Sequence, residues 1–219
     1  EVIHKPTMLT TDLSLIEDSA YRVVSQKFYD DPAAFELAFA KAWFKLTHRD
    51  MGPKSSYVGP EIPEEDYSWQ DPIPTVNHEL INAKNIDLIK TEIKNSELTN
   101  EDMITTAWAS ASTYRISDRR GGANGARIRL EPQINWESNN PEELKRVIKV
   151  YESIQEKFNK ESQNQKISLA DLIVLGGCVG IEDAASLGGR TINMPFSPGR
   201  MDAIKENTLE ATFAFPAQS

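Results

Sequence analysis

Ser168-Leu-Ala-Asp-Leu-Ile-Val-Leu-Gly-Gly-Cys-Val-Gly-Ile-Glu-Asp-Ala-Ala-Ser-Leu187 decides what kind of fold this chain adopts. Serine is a preferred N-cap because its hydroxyl accepts from the first free backbone N–H groups, so a helix from Leu169 to about Leu187 is expected. Up to Ile181 that helix is apolar on nearly every side, and it should therefore run through a core rather than along a surface. Its longest unbroken apolar stretch, residues 172–175, reaches Cys178 only through Gly176 and Gly177. That is far short of the roughly 20 residues a membrane span needs, and no transmembrane helix is expected.

A buried helix needs neighbours, and the rest of the sequence supplies more helices. Asn140-Pro141 opens an amphipathic one to about Asn159, with Leu144, Val147, Ile148, Tyr151, Ile154 and Phe158 on one stripe. Further helices are expected at about 79–95, carrying Ile86, Ile89 and Ile93, and at 99–113. The second begins Thr99-Asn-Glu-Asp102, close to a capping box with Asp in place of the preferred Glu. Near the start, residues 18–29 place Tyr21, Val24 and Phe28 together. Asp31-Pro32 then starts a helix to about residue 47 that repeats Phe35, Ala38, Phe39, Ala42, Trp43 and Leu46 on one face and reads as well packed. The two should form a helical hairpin through residues 29–32.

Between Gly52 and Val76 helical periodicity collapses. Pro53, Pro60, Pro63, Pro72 and Pro74 each remove a backbone donor and fix φ, so the stretch reads as an extended linker, with a domain boundary near Pro74. Tyr57, Tyr67 and Trp69 are unusual for a free tether and predict that this strap lies against a folded surface. After Arg190 the signals weaken, and Thr212-Phe-Ala-Phe-Pro216 leaves two phenylalanines without a visible partner. Strand signals are scarce, so the fold class is mainly α.

Composition narrows the function. The 219 residues are 39% hydrophobic, enough for one large or two small cores, and 33 acidic residues against 24 basic ones give a net charge of −9. That balance disfavours phosphate backbones, so no nucleic-acid partner is expected. A lone cysteine, Cys178, fits a reducing, cytoplasmic compartment and reads as a small buried hydrophobe. Glu1-Val-Ile-His-Lys-Pro6 lacks an initiator methionine and a signal-peptide plan, and reads as internal to something longer. No metal site is expected, because His4, His48 and His78 are far apart and no Cys-x-x-Cys occurs. The acidic run 61–66 lacks the alternating ligands and central glycine of a calcium loop. Gly121-Gly-Ala-Asn-Gly125 follows a helix and has no Gly-Lys-Ser/Thr ending, so it reads as turn chemistry.

The most telling local pattern is Thr105-Thr-Ala-Trp-Ala-Ser-Ala-Ser-Thr-Tyr-Arg115, followed by Asp118-Arg-Arg-Gly-Gly-Ala-Asn-Gly-Ala-Arg127. It resembles the distal haem helix of a peroxidase, whose working frame is Arg-x-x-Trp-His, but here that frame holds Thr105, Trp108 and Ala109. Cleaving a peroxide O–O bond needs a base that moves a proton and a fixed cation facing the developing charge, and neither threonine nor alanine supplies them. Other pieces point the same way: Thr7-Met-Leu-Thr-Thr-Asp-Leu-Ser-Leu15, Ala42-Trp-Phe-Lys-Leu-Thr-His-Arg-Asp-Met-Gly-Pro53, Tyr57-Val-Gly-Pro60, Trp69-Gln-Asp-Pro72 and Asp171-Leu-Ile-Val-Leu-Gly-Gly-Cys178. Together they resemble the catalase-peroxidases, bifunctional class I haem peroxidases with two similar helical domains, of which only the first binds haem b.

The resemblance implies a haem-peroxidase-like helical fold, in part, divided into the end of a catalytic domain (1–52), the proline-rich linker (53–77) and part of a haem-free second domain (78–219). The distal triad, the proximal histidine and the cross-linked Met-Tyr-Trp adduct would lie upstream of Glu1, so haem b belongs to the parent enzyme and no haem ligand is expected here. Asp12 resembles the carboxylate that accepts from the proximal histidine, and Arg49 the mobile arginine that supports the catalatic reaction. Read without the family, Asp12 caps a turn or helix and Arg49 meets the negative pole of a helix, as does His48. The implied partners are the remainder of the catalase-peroxidase chain, a second copy in a homodimer, hydrogen peroxide and small electron donors. The alternatives are a haem-free structural or assembly module without activity and, least supported, an independent peroxidase.

Overall fold

The computed structural model describes residues 7–205. Among them there are seven α-helices and no strand, so the fold is mainly α. The chain divides between Arg49 and Asp50 into two compact units.

In the first unit, α1 (Thr10–Glu17), α2 (Ser19–Asp30) and α3 (Pro32–His48) follow one another almost without loops. Aspartates make the breaks. The Asp18 carboxylate accepts from the N–H groups of Ala20 and Tyr21, and Asp31 accepts from Ala34 at 3.0 Å ahead of Pro32 at the first helical position. Phe28 meets Phe35 edge to face at 5.5 Å, closing the expected hairpin. From there Phe35, Phe39 and Trp43 form a ladder along α3 with centroids 6.1 and 6.3 Å apart. The expectation that α3 is well packed is not met. None of the residues of α1 to α3 is buried.

The second unit is built around its most apolar helix. Helix α7 (Leu169–Leu187) is capped by Ser168, whose Oγ accepts from Asp171 N–H at 3.0 Å. Leu172, Ile173, Leu175 and Val179 are fully buried, each contributing about 1.5–3 kcal/mol of burial. Around it pack α4 (Ala83–Lys94), α5 (Asn100–Ser112) and α6 (Pro141–Glu161). The glycines of α7 permit the approach. A Cβ on Gly177 would lie 2.5 Å from Ala107 Cβ of α5, and one on Gly176 would lie 2.0 Å from the Tyr151 hydroxyl of α6. Residues 169–173 and 175–180 are buried, as the apolar girth of the helix predicts, whereas Trp108 is 75% exposed.

The proline-rich segment carries no α-helix, as its prolines dictate, and belongs with the second unit. It is closed by side chains: Lys54 Nζ donates to Glu64 O at 2.6 Å and pairs with Asp66 at 3.0 Å. Trp69, Gln70 and Asp71 are buried. The strap is therefore fastened to folded protein, as its aromatic residues predict. After α7 the chain returns through residues 188–205 to the start of that helix, where the Asp202 carboxylate accepts from the N–H groups of Leu169 and Ala170, both at 2.9 Å. Thr212-Phe-Ala-Phe-Pro216 lies outside the described residues. No described helix is long and apolar enough to cross a membrane.

Candidate functional site

Helix α5 carries Thr105, Trp108 and Ala109 and directs them to different places. Its start is a complete capping box: Thr99 Oγ1 accepts from Asp102 N–H at 3.1 Å, and the Asp102 carboxylate accepts from Thr99 N–H at 2.9 Å. Thr105 and Ala109, one turn apart, line a cleft of about 360 Å³ between α5, α6 and the segment holding Ile128. Trp108 is not among its lining residues and is largely exposed. The helix thus brings Thr105 and Ala109 to one cleft and turns Trp108 elsewhere.

A charged wall that sequence reading did not find stands in this cleft. Arg146 of α6 pairs with Asp102 at 2.8 Å and with Glu143 one turn back on its own helix. The Asp102 side chain is 7% exposed. Burial alone would raise its pKa, but hydrogen bonds from Arg146 and from the Thr99 backbone outweigh it and hold the carboxyl at about 2. Arg146, held by two carboxylates, has its pKa raised. It sits beside Val147 at the edge of the apolar stripe of α6, where a single sequence reads it only as a solvated charge; its partner 44 positions away gave no periodic signal.

The cleft does not suit haem. Its lining offers carboxylates, amides, threonine hydroxyls and aliphatic groups, with no imidazole or thiolate to bind iron axially. Arg146 is already engaged by two carboxylates and is no fixed cation for a developing oxyanion. Among the described residues, no group of three His, Cys, Asp or Glu side chains could hold a metal ion. Cys178 is buried, its Sγ 4.0 Å from Pro195 O, and burial pushes the thiol pKa up, which opposes thiolate chemistry.

Asp12 and Arg49 lie in the first unit. Asp12 is at the third position of α1, where its Oδ2 accepts from Leu9 N–H at 3.1 Å, a local use of the carboxylate within its own helix. Arg49 follows the last turn of α3, exposed, its N–H donating to Lys45 O at 3.1 Å. His48 stacks on Phe44 with centroids 4.2 Å apart.

A second charged constellation was legible only as residues of a glycine-rich turn. In the loop after α5, Arg120 donates to Trp69 O at 2.7 Å and meets Asp71 at 3.4 Å, while Arg127 donates to Asp71 O at 2.8 Å. All three side chains are buried. Their pairing joins positions about 50 apart, which spacing alone could not reveal.

Comparison with known proteins places the chain in a family. The family model described as Peroxidase matches residues 38–219. The chain is similar to the catalase-peroxidase of Methanospirillum hungatei, 58% identical over 96% of this chain and 29% of that protein. It is likewise similar to those of Hahella chejuensis, 58% identical over 94% of this chain and 28% of the relative, and Streptomyces reticuli, 56% identical over 96% and 28%. It spans less than a third of the length of these relatives. With that model matched over residues 38–219, most of its length, this chain belongs to the peroxidase family.

Proposed function

We propose that these 219 residues form part of a catalase-peroxidase that decomposes hydrogen peroxide, oxidises small donors with it in defence against oxidative stress, and works in the cytoplasm as a homodimer. The identity to catalase-peroxidases over more than nine-tenths of the chain supports the parent activity. Haem b, bound elsewhere in that enzyme, supplies the redox chemistry. In this reading residues 1–52 close the catalytic domain, 53–77 connect, and 78–219 are a haem-free copy acting as scaffold.

The observation that carries the scaffold role is the cleft of α5. Thr105 and Ala109 face it, and an Asp102–Arg146–Glu143 ion-pair wall fills the ground where proton transfer would need a free base. Within the catalytic part, Asp12 would accept a hydrogen bond from the proximal histidine and so raise its basicity, its orientation set by the Leu9 N–H it already holds. Arg49, at the exposed end of α3, would swing its guanidinium toward the adduct tyrosine, stabilising a tyrosinate when turned inward and releasing it when turned outward.

Haemin titrated into the purified chain is expected to give no sharp, saturable Soret band and no peroxide consumption above free haem. Adding the remainder of the parent enzyme should restore haem absorbance. Stoichiometric haem binding by the chain alone would overturn the scaffold reading, and failure to associate with the remainder would count against Asp12 as its proximal partner.

A further inference from the structure

The chain that leaves Arg49 is fastened almost at once. Gly52 is buried with φ of +84°, and a Cβ placed there would lie 2.9 Å from Asp118 O and 3.8 Å from Arg119 Cβ. Only glycine combines that left-handed conformation with backbone contact at this distance. The surface it meets is a stiff one. The Asp118 carboxylate takes Arg115 Nη2 at 2.7 Å and Arg120 N–H at 3.2 Å, and Arg115 N–H donates to Arg120 O at 2.8 Å. Thr113 Oγ1 accepts from Gly122 N–H at 3.0 Å, closing the loop onto the end of α5. The same loop sends Arg120 inward to the carbonyl of Trp69. Gly52, just ahead of the proline-rich segment, and Trp69 within it thus both lie against three consecutive residues, 118–120, of the haem-free part.

Two residues, Asp50 and Met51, separate Gly52 from Arg49, so across three peptide units the Arg49 Cα can lie no farther than about 11 Å from the anchored glycine. A mobile arginine needs a fixed end to its tether, and here that end is Gly52 seated on residues 118–119. We infer that Gly52 and the Asp118–Arg120 loop are positioning residues for Arg49, by which the haem-free copy sets the reach of an arginine in the catalytic part. This rests on the assignment of Arg49 proposed above.

The seat is tested first in the chain itself, by amide exchange followed through peptides covering residues 49–54. Gly52→Ala is expected to speed exchange there by about tenfold or more while α7 stays protected. Unchanged exchange at 49–54 overturns the inference whatever Arg49 does. The consequence is tested in the full-length catalase-peroxidase that contains these residues, with catalase and peroxidase turnover measured side by side. Gly52→Ala, and Asp118→Asn, which loosens the loop without adding bulk at Gly52, should each lower catalase kcat about tenfold or more. Peroxidase kcat/KM should stay within about twofold and the Soret band unchanged, since misplacing a working group by about 1 Å costs rate rather than fold. Equal loss of both activities in the two variants overturns the positioning role. Arg49→Ala serves as the reference: if it too lowers both activities equally, the assignment of Arg49 has failed, whereas a selective Arg49→Ala beside non-selective Gly52→Ala and Asp118→Asn condemns the tether alone.

Discussion

Asp102 does two things at once, and both depend on its charge. It completes the capping box of α5 through Thr99 N–H and holds Arg146 of α6 at 2.8 Å, tying the starts of two helices across the cleft. Because the folded-state pKa is depressed to about 2 from 3.8, the stabilisation is fully present above about pH 4 and is lost as pH falls through the folded value. Asp102→Ala should therefore cost about 1–2 kcal/mol at neutral pH, the worth of a lost cap. The difference between variant and wild type in urea titrations should shrink between about pH 4 and pH 2. A difference that persists undiminished below pH 2 would mean that cavity formation, not the carboxylate, supplies the stability. Glu143 also holds Arg146, so the guanidinium is not left alone in the variant.

Helices that announce themselves by local chemistry were readable, and contacts between distant segments were not. Ser168, Asp31-Pro32 and Thr99 to Asp102 each mark a start that the structure reproduces to the residue, because a cap is decided by neighbours three positions apart. The apolar girth of α7 foretold its burial, yet nothing local said which helices would surround it. Nor did the stripe on α3 reveal that its aromatic residues stay exposed, because periodicity reports a face and not what covers it. At the cleft, Thr105 and Ala109 stand out in the sequence as candidate positions, while Arg146 does not. Glycines gave the same split. Gly176 read as an interruption of an apolar run, whereas in the packed unit it is the floor on which the Tyr151 hydroxyl rests. A methyl group there meets Tyr151 at 2.0 Å inside a fully buried contact, so Gly176→Ala should destabilise the second unit by about 3 kcal/mol, despite the better helix propensity of alanine. A stabilising Gly176→Ala in a thermal melt would mean that α6 and α7 do not approach as described.

At the scale of the whole chain the two units should differ in how long their amides resist exchange. The second unit has a continuous core in which Ile89, Ile93, Tyr151, Leu172 and Leu175 are almost fully buried, so its amides open only with the unit as a whole. The first has no buried residue in three helices of 8, 12 and 17 residues, each near or below the length at which an isolated helix holds in water. Its aromatic ladder leaves Phe35 48%, Phe39 58% and Trp43 58% exposed. In the chain by itself, the amides of α1 to α3 are expected to exchange orders of magnitude faster than those of α7, in dilute protein at neutral pH. The ladder also supplies the contrast that makes the measurement informative. Should another polypeptide, the rest of the parent enzyme or a second copy, cover Phe35, Phe39 and Trp43, protection of α3 must rise with its concentration while α7 is unchanged, since mass action stabilises only the element that is bound. Protection of α3 equal to that of α7, independent of concentration, would mean that the first unit has a core of its own and that the exposed ladder is not a surface awaiting cover.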